Sequence, residues 1–178
     1  RGLLGFVKSL AKEIGRKGAT ANLVLVDKGG DQALEGPIRF LLSAGSAFMN
    51  AQMLTVAAPV ADMDADWTKP LLGKTVLVTG AARGIGLAIS QTLARDGAEI
   101  IGVDVPQSEN ELATEMTAIG GLSLPLDITD ADAPERLRDF CLTQGPTLHA
   151  IVHNAGITRD KMLSKMTPHQ WDLLVQIN

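Results

Sequence analysis

Aromatic side chains are scarce in this sequence of 178 residues: they make up 3% of it, and tyrosine is absent. Apolar residues reach 46%, so the core must be aliphatic, as it is where parallel strands are buried on both faces. Cysteine occurs once, at Cys141. That excludes an internal disulfide and fits a reducing cytoplasm. Positive charge is not in excess: the formal net charge is -4 and no long basic run occurs, so the footprint of a nucleic-acid binder is missing. No segment approaches the roughly 18 uninterrupted apolar residues of a membrane helix. The chain starts at Arg1 without a signal peptide and stops at Asn178 inside a helical pattern, as an excerpt of a longer polypeptide would.

What the sequence does hold centres on Thr75-Val-Leu-Val-Thr-Gly-Ala-Ala-Arg-Gly-Ile-Gly86. Residues 75–78 read as a short buried strand, followed by a glycine turn, Gly80-x-x-x-Gly84-x-Gly86, that opens a helix near Arg83. Glycine adopts positive φ cheaply and lets a backbone approach a ligand closely. The free N–H groups and positive dipole end of the helix suit a pyrophosphate. The other reading is a tight turn without a ligand; the strand before and the helix after favour the phosphate site.

Before this stretch, Leu3, Leu4, Phe6, Val7, Leu10, Ala11 and Ile14 recur at helical spacing, and Arg16-Lys-Gly18 ends that helix. Residues 22–26 read as a strand, 27–30 as a turn, 37–42 as a short helix and 53–56 as a strand. Residues 57–72 carry scattered acids and prolines without periodicity and read as a linker. After residue 73 strands and helices alternate: helix 84–95, strand 99–103, a helix to 119 with capping-box spacing from Ser108 to Glu111, and strand 122–126. A helix capped by Asp130 or Asp132 then runs to 142, strand 148–153 follows, and a last helix opens with a second capping box at Thr167-Pro-His-Gln170. This alternation predicts a parallel α/β sheet with ligands at the carboxyl ends of the strands.

Asp104 ends the second of these strands, 18 residues after Gly86, where an acid accepts the ribose hydroxyls of a dinucleotide. Its charge would repel a 2′-phosphate and favours NAD over NADP, although Arg83 in the glycine turn could pair with that phosphate. A surface acid at a strand end is the alternative. Asp127 can accept from an adenine amino group while Ile128 packs on the ring, or it can simply cap Asp-Ile-Thr-Asp130. His153-Asn-Ala-Gly156 ends the fourth strand; its small residues would let backbone lie beside a cofactor, and Asn154 could tie neighbouring strands, unless this is an ordinary turn. His153 reads as structural, and His149 and His169 stand in no ligand spacing, so no metal is expected. Asn178 falls seven residues after Trp171, on the same helical face as Leu174 and Val175, which would turn it inward. There it could hold a water or a lysine in a proton relay, or cap a helix end.

Together, Thr79-Gly-Ala-Ala-Arg-Gly-Ile-Gly86, Asp104, Asp127-Ile128, His153-Asn-Ala-Gly156 and Asn178 resemble the short-chain dehydrogenase/reductase family. Gly156-Ile-Thr-Arg-Asp160, with Met162-Leu163, Met166 and Trp171-Asp172, is similar to its 3-oxoacyl-[acyl-carrier-protein] reductase branch. The resemblance covers residues 73–178, the first half of such a domain. It implies a Rossmann-like doubly wound parallel sheet in which Gly80, Arg83, Gly84, Ile85, Gly86, Asp104, Asp127, Ile128, Asn154, Ala155 and Gly156 hold the cofactor and Asn178 is catalytic. His153 departs from the family, which has a second asparagine there.

Residues 1–56 resemble the other end of the family. Gly5-Phe-Val-Lys-Ser-Leu-Ala-Lys-Glu-Ile-Gly15 looks like the helix after the catalytic Tyr-x-x-x-Lys, and 40–54 like the last helix and strand. The expected Pro-Gly turn is replaced by Asp27-Lys-Gly-Gly30, which puts cofactor binding by this unit in doubt. The expectation is two incomplete units joined by a linker, cut from a tandem protein like the high-molecular-weight actinobacterial 3-oxoacyl reductases. The resemblance implies NADH-dependent reduction of a 3-oxoacyl thioester, carried on acyl carrier protein or coenzyme A, by a cytoplasmic homodimer. The family's proton donor is a tyrosine, and this chain has none, so the fragment itself should not catalyse. A non-catalytic dinucleotide-binding module, or a dehydrogenase for another alcohol or ketone, are the alternatives.

Overall fold

The computed structural model describes residues 2–59, 66–144 and 147–178, and its contacts divide the chain into two units, Arg1–Ala65 and Asp66–Asn178. Part of the expected linker, residues 60–65, lies outside the described residues.

In the first unit, α1 (Gly2–Gly15) turns Leu4, Val7, Leu10, Ala11 and Ile14 inward; only Ala11 is fully buried. Leu3 and Phe6, expected on the same stripe, are exposed, because the buried stripe is narrower than the apolar one. β1 (Leu23–Val26) leads to a turn in which the Gly30 N–H donates to the Asp27 carbonyl at 2.8 Å. α2 (Glu35–Leu41) follows, then β2 (Met53–Val56), which pairs with β1 in parallel, Leu23 opposite Met53. The Asn22 and Asn50 side chains join the two strand entries: Asn50 Oδ1 accepts from the Ala21 N–H at 3.0 Å, and Asn22 Nδ2 donates to the Met49 carbonyl at 2.8 Å.

The second unit is a four-stranded parallel sheet in the order β5-β4-β3-β6. Its strands are β3 (Thr75–Thr79), β4 (Glu99–Asp104), β5 (Leu122–Pro125) and β6 (Leu148–Val152). The helices are α3 (Gly84–Arg95), α4 (Glu109–Ala118), α5 (Ala133–Gln144) and α6 (Pro168–Ile177). Side chains alternate across a strand, and here both sides are covered. Val76, Val78 and Ile100 pack with Leu112 and Met116 of α4 and with Leu87 and Leu93 of α3. Leu77, Ile101 and Val103 pack with Ala133, Leu137 and Phe140 of α5. That is why 75–79 and 99–104 read as near-continuous aliphatic runs. Strand order reverses between β3 and β6, which opens a crevice over the carboxyl ends of the strands.

Three local expectations are corrected. Ser108 makes no side-chain cap: residues Pro106–Ser108 already form a 3₁₀ turn, and at φ −99°, ψ 13° Ser108 lacks the extended backbone of a capping residue. β6, whose apolar residues read as a buried strand, is the edge of the four strands present in this chain and leaves His149, Ala150 and Ile151 exposed. α6 has no fully buried residue, with Trp171 51% and Val175 64% exposed, so the face that carries Trp171 and Asn178 is not covered within this chain. The Thr167 capping box does form: the Gln170 N–H donates to Thr167 Oγ1 at 3.3 Å, and the Thr167 N–H to Gln170 Oε1 at 3.2 Å.

Candidate cofactor site

β3 ends at Thr79 and the chain turns through Gly80 at φ +68° into α3. Arg83 stands at the helix N-cap in extended geometry with no side-chain cap, which leaves the first-turn N–H groups unclaimed by side chains. Two glycines fit a stringent geometry. A Cβ on Gly86 would stand 2.0 Å from the Gly80 carbonyl oxygen and 2.5 Å from Asn154 Nδ2, and one on Gly80 would stand 2.9 Å from the same nitrogen. The missing side chain at Gly86 therefore lets the helix pack closely against the strand end.

The Asn154 amide crosses from the end of β6 to the end of β3, donating to the carbonyls of Thr79 at 3.0 Å and Gly80 at 3.3 Å. Thr79 answers it. Its Oγ1 accepts the N–H of Asn154 and that of Ala155, each at 3.0 Å. The strand-tying expected of Asn154 is thus present, and Thr79 is a member of the arrangement that the sequence reading left out. Its signal was its place beside Gly80.

On the other side of β3, Asp104 Oδ2 accepts the Ala82 N–H at 2.9 Å and Oδ1 accepts the Val105 N–H at 2.9 Å. The carboxylate at the end of β4 thereby braces the glycine turn. It offers about four lone-pair sites, so two bonds leave room for further donors. Asp127, after β5, accepts at Oδ1 from the Thr129 N–H at 2.9 Å and from the Thr129 hydroxyl at 2.7 Å. The Thr129 N–H first and its hydroxyl second hold the Asp127 carboxyl below the usual carboxylate range, against a smaller opposing effect of burial. The cap offered as the alternative reading of Asp127 is not a helix cap, since α5 begins only at Ala133; Asp127 closes a local turn with Thr129 through Oδ1, and that turn does not use Oδ2.

These groups meet in one cleft of about 410 Å³. Gly80, Arg83, Ile85, Asp104, Asp127, Ile128, Asn154, Ala155 and Gly156 line it. Gly84, Gly86 and Asn178 do not. Val105, Thr129, Ile157 and Ile177 line it as well, neighbours in sequence of residues already singled out. Asn178 is exposed, and its amide is engaged locally: Oδ1 accepts the Ile157 N–H at 2.9 Å, and Nδ2 donates to the Ile157 carbonyl at 3.0 Å. A Cβ on Gly156 would stand 2.7 Å from Asn178 Oδ1. The amide thus fastens the end of α6 to the segment leaving β6. Among the described residues no group of His, Cys, Asp and Glu could hold a metal, and no helix is long and apolar enough to cross a membrane.

Residues 74–178 match the family model described as short chain dehydrogenase. The chain is 36% identical over 106 residues to the 3-oxoacyl-[acyl-carrier-protein] reductase FabG of Escherichia coli, covering 60% of this chain and 43% of that protein. The protein of the same name from Vibrio cholerae is 34% identical over 108 residues, covering 61% and 44%. That from Thermotoga maritima is 34% identical over 111 residues, covering 61% and 45%. The chain therefore spans less than half the length of these relatives.

Proposed function

The chain belongs to the short-chain dehydrogenase family, and from that premise we propose that its second unit binds a nicotinamide dinucleotide, NADH in preference to NADPH. The observation that carries the reading is the order of the strand ends. Asp127, Asp104, Gly80 and Asn154 end or follow β5, β4, β3 and β6, which lie side by side in that order. Three spacings of about 4.8 Å give a track of about 14 Å, which suits an extended dinucleotide. Adenine would lie against Ile128 with its amino group toward Asp127, and the ribose hydroxyls at Asp104. The pyrophosphate would meet the uncapped N-terminus of α3 with Gly84, Ile85 and Gly86, and the nicotinamide half would lie along Asn154, Ala155 and Gly156.

We read the parent polypeptide as a reductase of 3-oxoacyl thioesters, carried on acyl carrier protein or coenzyme A. The 36% identity over 106 residues and 34% over 108 residues to reductases named for acyl carrier protein support this. The bound dinucleotide would supply hydride to the keto carbon. The residues present bind and orient it. Asn178, after its two bonds to Ile157, keeps one amide proton and one oxygen lone pair with which to hold a relay water. The chain has no tyrosine, so on this reading a phenol that completes proton transfer would be supplied from outside it. The first unit, with Leu3, Phe6, Leu42 and Phe48 exposed, reads as a packing or dimer-forming element.

Titration of the chain with NADH and NADPH tests the binding reading, and binding of neither removes it. Oxidation of NADH with an acetoacetyl thioester, measured on a polypeptide extended beyond Asn178, tests the reductase reading. Tight binding without turnover there would favour the second reading, a non-catalytic dinucleotide module, which the absence of tyrosine already favours for this chain alone.

A further inference from the structure

We propose that His149, which lies outside the cleft, sets which residue of β6 stands beside Gly80; its consequence for ligand binding rests on the dinucleotide reading given above. The pairing of β3 with β6 is not regular. Thr75 faces Leu148, but Val76 faces Ala150, so His149 is an extra residue in β6. Bulges of this kind re-aim side chains beside functional sites.

The effect propagates along the strand. Past the shift Val78 faces Val152, and two steps further Asn154 comes level with Gly80. In the unshifted register His153 would stand there instead. A slip of one residue also turns every side chain of a strand to the opposite face. The amide that bonds the Thr79 and Gly80 carbonyls, and the two N–H groups that meet Thr79 Oγ1, would all be displaced.

His149 supplies what holds the shift in place. Thr75 is 4% exposed, so its N–H needs a partner. That partner is the imidazole: the Thr75 N–H donates to His149 Nδ1 at 3.0 Å. The extra residue of one strand thus caps the donor of the other with its own side chain. Thr75 is pinned from the β4 side as well, where its hydroxyl donates to Glu99 Oε2 at 3.3 Å.

The test compares His149→Asn, whose side-chain oxygen can accept the same N–H, with His149→Phe, which offers no acceptor. Two readouts are taken on the full chain. Amide hydrogen exchange at Asn154 and Ala155 reports the register without any ligand. Titration with NADH and with ADP separates the nicotinamide end of the cleft from the adenosine end. Expected for His149→Phe is exchange at both amides faster by about tenfold or more, NADH binding weakened by a similar factor, and ADP binding within about twofold of the parent. His149→Asn should restore both. The proposal is overturned if His149→Phe leaves exchange and NADH binding unchanged, if His149→Asn fails as badly as His149→Phe, or if ADP binding falls in step with NADH. Should the exchange pattern hold while the parent chain binds neither nucleotide, the register role stands and the dinucleotide reading falls.

Discussion

The side chain of Asn154 donates to the Thr79 carbonyl at 3.0 Å, and the side chain of Thr79 accepts the Asn154 N–H at 3.0 Å, so the ends of β3 and β6 are closed by a reciprocal pair. Thr79 also takes the N–H of Ala155, and it is 7% exposed. Thr79→Val keeps the shape and removes the acceptor, stranding two donors near the sheet. Each stranded donor costs about 1–3 kcal/mol. Urea unfolding should show a loss of that order for Thr79→Val and a much smaller one for Thr79→Ser. Equal losses would mean that the methyl group, not the hydroxyl, carries the role.

Gly86 and Gly84 should respond differently to alanine. At Gly86 the new methyl group meets the Gly80 carbonyl, which is backbone and cannot step aside. Overpacking of this kind costs about 1–3 kcal/mol, and it would push α3 off the turn, so nucleotide binding should fall with stability. At Gly84 nothing lies within 4 Å, and the penalty comes only from φ +59°, about 1–2 kcal/mol. Differential scanning calorimetry together with NADH titration separates the two: Gly84→Ala should lose stability with binding largely kept. The opposite ranking would refute the packing role of Gly86.

The same contrast shows what the sequence could and could not disclose. The helix at 84–95 and the buried strands at 75–79 and 99–104 follow from short-range patterns: aliphatic runs, a glycine turn, a helical period. Asp104 and Asn154 were legible because each sits at a strand end that the alternation itself locates. Failures arose where something other than the repeating pattern decides, whether an adjoining turn or a partner distant in sequence. Ser108 has the spacing of a capping box, yet Pro106 starts a 3₁₀ turn and occupies its backbone. Residues 148–152 look buried by composition, yet sheet order makes them an edge. The partners of His149 and Thr79 lie 74 and 75 residues away in sequence, beyond any local pattern.

In the first unit Ala51 takes φ +61°, the one non-glycine at positive φ among the described residues, while its N–H donates to the Ala21 carbonyl at 2.9 Å. An L-residue in that region costs about 1–2 kcal/mol, and glycine repays part of this through its larger entropy loss on folding, about 0.5–1 kcal/mol. Ala51→Gly should therefore leave the first unit unchanged or stabilise it by up to about 1 kcal/mol, whereas Ala51→Val should destabilise it. Thermal unfolding monitored by circular dichroism decides between these outcomes.

Asp127 predicts a pH dependence. Its carboxyl is held below the ordinary range in the folded chain by the Thr129 N–H and hydroxyl. The folded chain therefore binds fewer protons at Asp127 than the unfolded chain as the pH falls toward about 4. The stabilisation is complete above the unfolded value and is lost as the pH drops through the lower folded one. Asp127→Asn keeps an acceptor for Thr129 but carries no charge. The stability difference between parent and Asp127→Asn should be constant from pH 7 to about pH 5 and shrink below about pH 4. A difference independent of pH down to 2.5 would show that the Thr129 bonds do not favour the charged form.

Asp104 combines two roles that one pair of substitutions can separate. Its charge faces the place proposed for the ribose, and its Oδ2 holds the Ala82 N–H of the glycine turn. Asp104→Asn removes the charge and keeps an acceptor; Asp104→Ser removes the charge and shortens the reach to the turn. Two unit charges about 4 Å apart repel by about 1 kcal/mol in water and about 4 kcal/mol near a protein surface. Either variant should thus shift the ratio of NADPH to NADH affinity toward NADPH by about fivefold to several hundredfold. Arg83 lines the same cleft and, on the proposed reading, would pair with the 2′-phosphate. If charge alone sets the preference, the two variants shift the ratio equally, and only Asp104→Ser also weakens NADH itself through the loosened turn. An unchanged ratio in both variants would remove Asp104 as the determinant and leave NADPH as the ligand to test.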